Sequence, residues 1–510
     1  MDPTLALAVD PLVGLPPLVS LSHGLLGLAV LTGLGLGVLR LTGALPRLTT
    51  LERLIVAYPL GWLPAYAAIM ALGSLARLDQ ATLVPLLAFG ALLAVPGWVL
   101  FIRTDCPANR GIDRPWTIGE YLLLAGLLTF GALSWIQALS PPNTYDSLMY
   151  HLTGPRYSVE AGTLAVPFDR VLAQLLFPQG IGHVTRLMLV LSSAEAVQLL
   201  IGALTFIAAG AIYALAARLS FSRSVGLWGA VLFLGLRVVA WQIAAAETDL
   251  PVTACTLAAL LVWTIWRSGV ALPSAKSMAL AVLFGFLLGV GILFKLHGFV
   301  IAFILGLLLL ADSVGKKVRL SAVLLAAVVA FLTILPHLIW AFWVTGNPIF
   351  PLFHDHIRPD ALSVYEDVGA LYGTGRGWAD LWAVMVTLSL APMHYFDGMV
   401  LGAPYLLALA PLGFLAGRAR KLAPLALFAG GYGFIWFFLL SEQVRFLLPV
   451  LPVICLFAGL GLVSLWQGVK SAPALRAVFP HQQAGMPARA PGPQPGAAMF
   501  GLGLAGYRIH

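Results

Sequence analysis

Five ionisable side chains stand where a chain this apolar can least tolerate them, and their types point to acid–base and phosphate chemistry. Asp146 follows an apolar run in Ser140-Pro141-Pro142-Asn143-Thr144-Tyr145-Asp146-Ser147. A carboxylate at such a helix end can take a proton from a hydroxyl while an apolar tail lies in the bilayer beside it; Asp at this position can equally cap a helix. Ala246-Glu247-Thr248-Asp249 places two more carboxylates between apolar runs with almost no loop, where capping by Thr248 or Asp249 is the alternative. Lys295 separates two long apolar runs with only Leu296 and His297 beside it. An ammonium costs about 2.5 to 3.5 kcal/mol at the centre of a spanning helix and less near the headgroups. It therefore either snorkels or binds a phosphate and stabilises the negative charge of a leaving group. Arg445, in Ser441-Glu442-Gln443-Val444-Arg445-Phe446-Leu447-Leu448-Pro449, can hold phosphate oxygens through two N–H groups or pair with Glu442 at i, i+3. Arg156, Arg186 and Arg237 are secondary phosphate candidates. The run His354-Asp355-His356 invites a metal reading, but three consecutive residues seldom face one ion and no HExxH spacing supports it, so no metal ligand is assigned.

The elements that must position these residues are membrane helices. The chain has 510 residues, 60% hydrophobic and 10% charged, against about 25% charged in ordinary soluble domains. Apolar runs of roughly 17 to 24 residues recur, each long enough to cross a hydrocarbon core about 30 Å thick, and continuous runs exclude the alternating pattern of a membrane barrel. The expected fold is an all-α polytopic membrane protein with about 13 transmembrane helices and two long outer loops carrying short interfacial helices. The formal charge of +8 is read as a report on orientation, with no nucleic-acid partner. Cys106, Cys255 and Cys455 show neither paired nor metal-ligand spacing and are read as apolar fillers. The first 19 residues carry Asp2 and Asp10 but no Lys or Arg, so the first span itself is expected to direct insertion.

Alternating the connections across the membrane gives one clear orientation. With the N-terminus outside and the C-terminus cytoplasmic, the inner side collects about 20 of the 29 basic residues, among them Arg40, Arg47, Arg53, Arg218, Arg223, Arg267, Lys276, Lys317 and Lys421. The outer side takes most acids, including Asp146, Glu247, Asp249 and Glu442. The expected organisation is a three-helix membrane segment (1–118), a membrane core (119–343) with its first outer loop at 140–193, a second outer loop (344–398), C-terminal membrane helices (399–470) and a flexible cytoplasmic tail (471–510) in a cell inner (plasma) membrane. The Pro-, Ala- and Gly-rich composition of the tail carries that last assignment.

In this order, Tyr145-Asp146-Ser147-Leu148-Met149-Tyr150-His151-Leu152, Phe177-Pro178-Gln179, Glu247-Thr248-Asp249, Lys295 after a glycine-rich span, Gly346-Asn347-Pro348 and Arg445-Phe446-Leu447-Leu448-Pro449 resemble the GT-C superfamily of membrane glycosyltransferases. The bacterial relatives of the protein O-mannosyltransferases and the lipid A aminoarabinose transferases are the groups most similar. The resemblance covers roughly Tyr121 to Trp466 and implies a GT-C-like core. It also implies a polyprenyl-phosphate sugar donor, a glycan, lipid or protein acceptor, an outward-facing site in the cell envelope, and inversion at the anomeric carbon. Asp146 matches the family's acidic base; Tyr145, His151, Arg156, Glu247, Asp249, Lys295, His297 and Arg445 are expected to bind substrate. Two features depart from the pattern: three spans precede the one that leads into the acidic loop, where the family core usually starts, and Ser147 stands where a second acid is usual, which leaves dependence on a divalent cation open and assigns no other cofactor. A transporter or flippase of lipid-linked substrates is the competing expectation, and a non-catalytic assembly subunit the third. The clustering of the charged residues at the outer side argues against a path through the membrane.

Overall fold

The structure, a computed structural model, describes residues 15–105, 115–164, 173–268, 274–357, 373, 375–391, 403–416 and 419–471. Cys106, much of the second outer loop, including Glu366 and Asp367, and the whole tail from 472 therefore lie outside the described residues. The main compact unit is Met1–Ser464; Leu465–His510 forms a second unit, of which only the last turns of one helix are described.

Apart from short loops, the described residues are helical. The spans begin with α1 (Pro17–Leu41), α2 (Thr50–Ser74), α3 (Gln80–Arg103) and α4 (Ile118–Gln137). The first outer loop carries α5 (Thr153–Glu160) and α6 (Gly180–Leu191). Then come α7 (Ala194–Arg218), α8 (Arg223–Leu234), α9 (Arg237–Ile243), α10 (Asp249–Ser268), α11 (Ser274–Phe294), α12 (His297–Val314) and α13 (Leu320–Thr345). The second outer loop holds α14 (His354–Ile357) and α15 (Trp378–Leu390), and the chain closes with α16 (Tyr405–Ala416), α17 (Ala419–Leu439) and α18 (Leu451–Ser471).

Among the described residues 11 helices are long and apolar enough to cross a membrane, or 12 if α8 and α9 make one bent span. The expectation of about 13 differs at two places. One expected span is broken at Gly235–Leu236 into α8 and α9, which meet at 71°, so Arg237 starts a new helix and is exposed instead of lying inside a span. The other, α16, has only 12 described residues, too few to cross alone.

α10 is buried along its whole apolar stretch and packs against α7, α9, α11 and α12, with α1 and α2 layered on α7 and α2 also reaching α10 and α11. α2 thus reaches the interior of the bundle, and α1 lies on it with most of its own surface uncovered. Glycines allow that closeness: a Cβ at Gly61 would fall 1.8 Å from the Leu31 carbonyl oxygen. α3 and α4 leave still more of their surface uncovered, as helices facing lipid do.

The two ends of the bundle differ in charge pattern. At one end Arg218 pairs with Glu52 at 2.5 Å, Arg223 with Glu120 at 3.5 Å, and Arg267 and Lys317 with Asp312, each at 3.1 Å. These are the residues that alternate threading puts on one side. At the opposite end Ser20 at the start of α1 meets Ser193 before α7 at 2.9 Å, and the acidic loops gather there too.

Candidate active site

The loop carrying Asp146 is fixed from several directions. Pro141 and Pro142 stop α4 from continuing, and Gln198 of α7 donates its amide to the carbonyls of Ala138 (2.9 Å) and Ser140 (2.8 Å). Residues Ser147–His151 form one π turn. Ser147 is fully buried; it accepts from the Thr144 hydroxyl at 2.5 Å and from the Ala246 N–H at 3.0 Å. The serine in place of a second acid is therefore a tie between the Asp146 loop and the Glu247 segment.

Glu247 and Asp249 are brought in by α9 and α10. Gln242 near the end of α9 donates to Glu247 Oε2 at 2.6 Å. Lys295 sits in the hairpin between α11 and α12, whose tightness depends on Gly298: a Cβ there would lie 2.5 Å from the Gly291 carbonyl oxygen and from the Ile292 nitrogen. Arg445 is in the 3-10 turn Val444–Leu447 ahead of α18. Arg376 from the second outer loop donates to the carbonyl of Leu440 at 3.1 Å and lies 3.9 Å from Glu442, holding the segment that leads into that turn.

Arg445 is the hub. One of its terminal nitrogens, Nη1, donates to Asp146 Oδ2 at 2.6 Å and to Glu247 Oε2 at 3.0 Å, while Nε donates to Gln443 Oε1 at 2.8 Å. Lys295 Nζ pairs with Asp249 Oδ1 at 2.5 Å. The Phe446 ring joins the two ion pairs, with Lys295 Nζ 4.3 Å and the Arg445 guanidinium carbon 5.3 Å from its centroid. His297 packs on the same ring, centroids 4.3 Å apart, and its buried Nδ1 has no partner.

Among these five ionisable groups three acids face two bases, and titration behaviour follows that imbalance. Burial would raise Asp146, but the Arg445 charge and the Tyr150 hydroxyl outweigh it and hold the carboxyl below its usual range. Glu247 goes the other way: burial, with Asp249 and Asp146 adding to it, pushes it up despite Arg445. Burial also lowers Lys295 against the opposing field of Asp249. Arg445, although buried, is raised by Asp249, Glu247 and Asp146 together. His151 is lowered to about 3, chiefly by burial. The surroundings therefore favour the ionised form of Asp146 and the neutral form of Glu247, beside the basic side chains of Lys295 and Arg445.

The structure brings Asp146, Glu247, Asp249, Lys295, His297 and Arg445 into one cluster. His151, whose ring centroid is 4.3 Å from that of Tyr150, borders it. Tyr145 is 68% exposed, and Arg156 lies on the surface of α5, paired with Glu160 at 2.8 Å. Arg445 pairs with Asp146 and Glu247, residues distant in sequence, in addition to any local partner. His354 is buried against Phe350 with ring centroids 4.8 Å apart, while His356 is exposed; the two imidazoles occupy different surroundings. Sequence reasoning left out Tyr150, Gln242, Gln443 and Phe446. Tyr150, Gln443 and Phe446 lay inside quoted motifs, while Gln242 lay outside every one of them.

Residues 178–340 match the family model described as dolichyl-phosphate-mannose-protein mannosyltransferase, a stretch that holds Glu247, Asp249, Lys295 and His297 but neither Asp146 nor Arg445. The motif resemblance to the GT-C membrane glycosyltransferases and this match therefore agree. No curated protein matches the chain. Two solved structures are similar: ArnT from Cupriavidus metallidurans bound to undecaprenyl phosphate, at 16% identity and a TM-score of 0.48 over 67% of this chain and 60% of that one, and the same protein in the apo state, at 15% identity and a TM-score of 0.48 over 69% and 62%. The chain thus spans about three fifths of the length of those structures.

Proposed function

We propose that the protein transfers a sugar from a polyprenyl-phosphate donor to an acceptor hydroxyl on the extracytoplasmic face of the inner membrane, with inversion. The observation that carries this reading is the convergence on Arg445 of Asp146 and Glu247, with the Lys295–Asp249 pair across Phe446, at one end of an apolar bundle. The family model adds a donor class, since its name specifies a polyprenyl phosphate bearing mannose.

In this reaction the acceptor oxygen bonds to the anomeric carbon as the bond from that carbon to the phosphate oxygen breaks, and the electron pair leaves on the polyprenyl phosphate. Asp146 Oδ takes the hydroxyl proton. Its lowered pKa keeps it ionised and ready, at some cost in base strength. Lys295 and Arg445 bind the donor phosphate and stabilise the charge it gains on departure. Arg445 is engaged by two carboxylates before substrate binds, so an incoming phosphate needs a share of it. A proton on Glu247, whose pKa is already raised, frees that share. Asp249 keeps Lys295 oriented, and Glu247 or Asp249 contacts the sugar or the acceptor.

Mass spectrometry of lipids that copurify with the protein tests the donor class. The reading expects a polyprenyl phosphate that wild type retains and Lys295→Met loses; a protein that never retains such a lipid, and shows no binding when it is added, contradicts it.

A further inference from the structure

A second cationic cluster lies outside the Arg445 site, in the wedge between α2, α5 and α6. Arg186 of α6 is 4% exposed, yet among the described residues no carboxylate pairs with it. Its Nη1 lies 2.9 Å from His183 Nδ1, its Nη2 donates to Ser158 Oγ of α5 at 3.1 Å, and its Nε is buried without a partner. A guanidinium has only donors, so His183 Nδ1 must accept, which puts the imidazole proton on Nε2. That nitrogen is also buried and unpartnered; the hydroxyl of Tyr66 of α2, whose ring lies 5.1 Å from the His183 ring, lies against the His337 backbone of α13 and has no acceptor for its own proton. Arg186 Nε, His183 Nε2 and the Tyr66 hydroxyl are thus three buried donors without an acceptor, beside a positive charge that no described carboxylate balances. Leaving each such group unpaired costs about 1 to 3 kcal/mol, more for a charged one, and the missing partner is an acceptor carrying negative charge. The missing side chain of Gly182 lets the Gln179 amide oxygen and Arg186 Nη1 approach the same stretch of α6: a Cβ there would lie 2.4 Å from Gln179 Oε1 and 3.2 Å from Arg186 Nη1.

We infer that Arg186, His183 and Tyr66 form an anion site for a phosphate-type oxyanion, separate from the Asp146–Arg445 cluster and independent of the proposed transfer reaction. Either a lipid headgroup or free inorganic phosphate supplies that chemistry. The test is saturable binding of radiolabelled inorganic phosphate to the full-length protein in phosphate-free detergent, followed by competition with phosphatidylglycerol or phosphatidylcholine vesicles. Arg186→Gln is expected to weaken phosphate binding at least tenfold. Tyr66→Phe, which keeps the ring packing and deletes one donor, is expected to weaken it several-fold and decides the matter if Arg186→Gln does not fold. Displacement by phosphatidylglycerol alone assigns the site to a lipid headgroup; no displacement by either vesicle assigns it to free phosphate. Absence of saturable binding, or equal binding by wild type and Tyr66→Phe, overturns the inference.

Discussion

Replacing Arg445 by Met removes the only cation that touches both Asp146 and Glu247 among the described residues, and the consequence can be worked out from the site. The side chain is 9% exposed, and its two carboxylate partners are 12% and 1% exposed, so water cannot take its place freely. Breaking a buried ion pair by removing one partner costs about 3 to 5 kcal/mol, because the other charge is left stranded. Glu247 limits the loss by taking a proton, since its pKa is already raised with Arg445 present; Asp146 loses the charge that held it low. The expected loss is therefore about 3 kcal/mol, near the lower end of that range, and it shrinks at acid pH as both carboxyls protonate. Adding Asp146→Asn and Glu247→Gln to Arg445→Met removes the stranded charges and is expected to recover most of the stability but none of the activity. The assay is thermal unfolding in detergent at pH 5 and pH 8, run alongside sugar transfer. Arg445→Met as stable as wild type at pH 8, or a triple variant no more stable than the single one, would refute the hub arrangement.

Lys295→Met leaves Asp249 buried without its partner and is expected to reduce affinity for a polyprenyl phosphate by at least tenfold, with Lys295→Arg recovering part of it; titration of the lipid into the purified variants measures this. Tyr150→Phe deletes the hydroxyl that helps hold Asp146 low, so the acid limb of kcat/KM should move to higher pH in the variant than in wild type. A pH–rate profile unchanged by the substitution would separate Tyr150 from Asp146. Single cysteines placed at Tyr145 and Leu296 should both react with a membrane-impermeant thiol reagent from the outer face of oriented vesicles, and a cysteine at Arg319 only from the inner face; reaction of 145 and 296 from opposite faces would break the site apart.

The bundle and the end at which to look were legible in the sequence because each rests on a strong, local physical signal. Apolar length gave the spans, and the cost of charge in lipid singled out Lys295 and Arg445 against a background where Lys and Arg stay inside. The same rule put Arg218, Arg223, Arg267 and Lys317 together at one end, where the structure joins them to Glu52, Glu120 and Asp312. Which acid meets which base was not legible, because Arg445 and Asp146 are 299 residues apart and every carboxylate in the cluster is a plausible partner by charge alone. The 71° break between α8 and α9 was not legible because apolar residues flank Gly235 and Arg237 on both sides and fill the length of one span. Ser147, an unremarkable residue in sequence, acquires its role only when the Ala246 N–H arrives from another element.

The central claim is that Asp146 accepts the acceptor's proton as the phosphate leaves. The most direct measurement is release of polyprenyl phosphate from a radiolabelled polyprenyl-phosphate sugar by wild type and Asp146→Asn reconstituted in liposomes with acceptor lipids. Asn keeps the shape and a carbonyl oxygen for Arg445 but cannot serve as base. The account predicts that the variant folds, retains the donor and releases polyprenyl phosphate at least about a hundredfold more slowly, the lower range of what a positioned base contributes. Wild-type turnover by folded Asp146→Asn would contradict it.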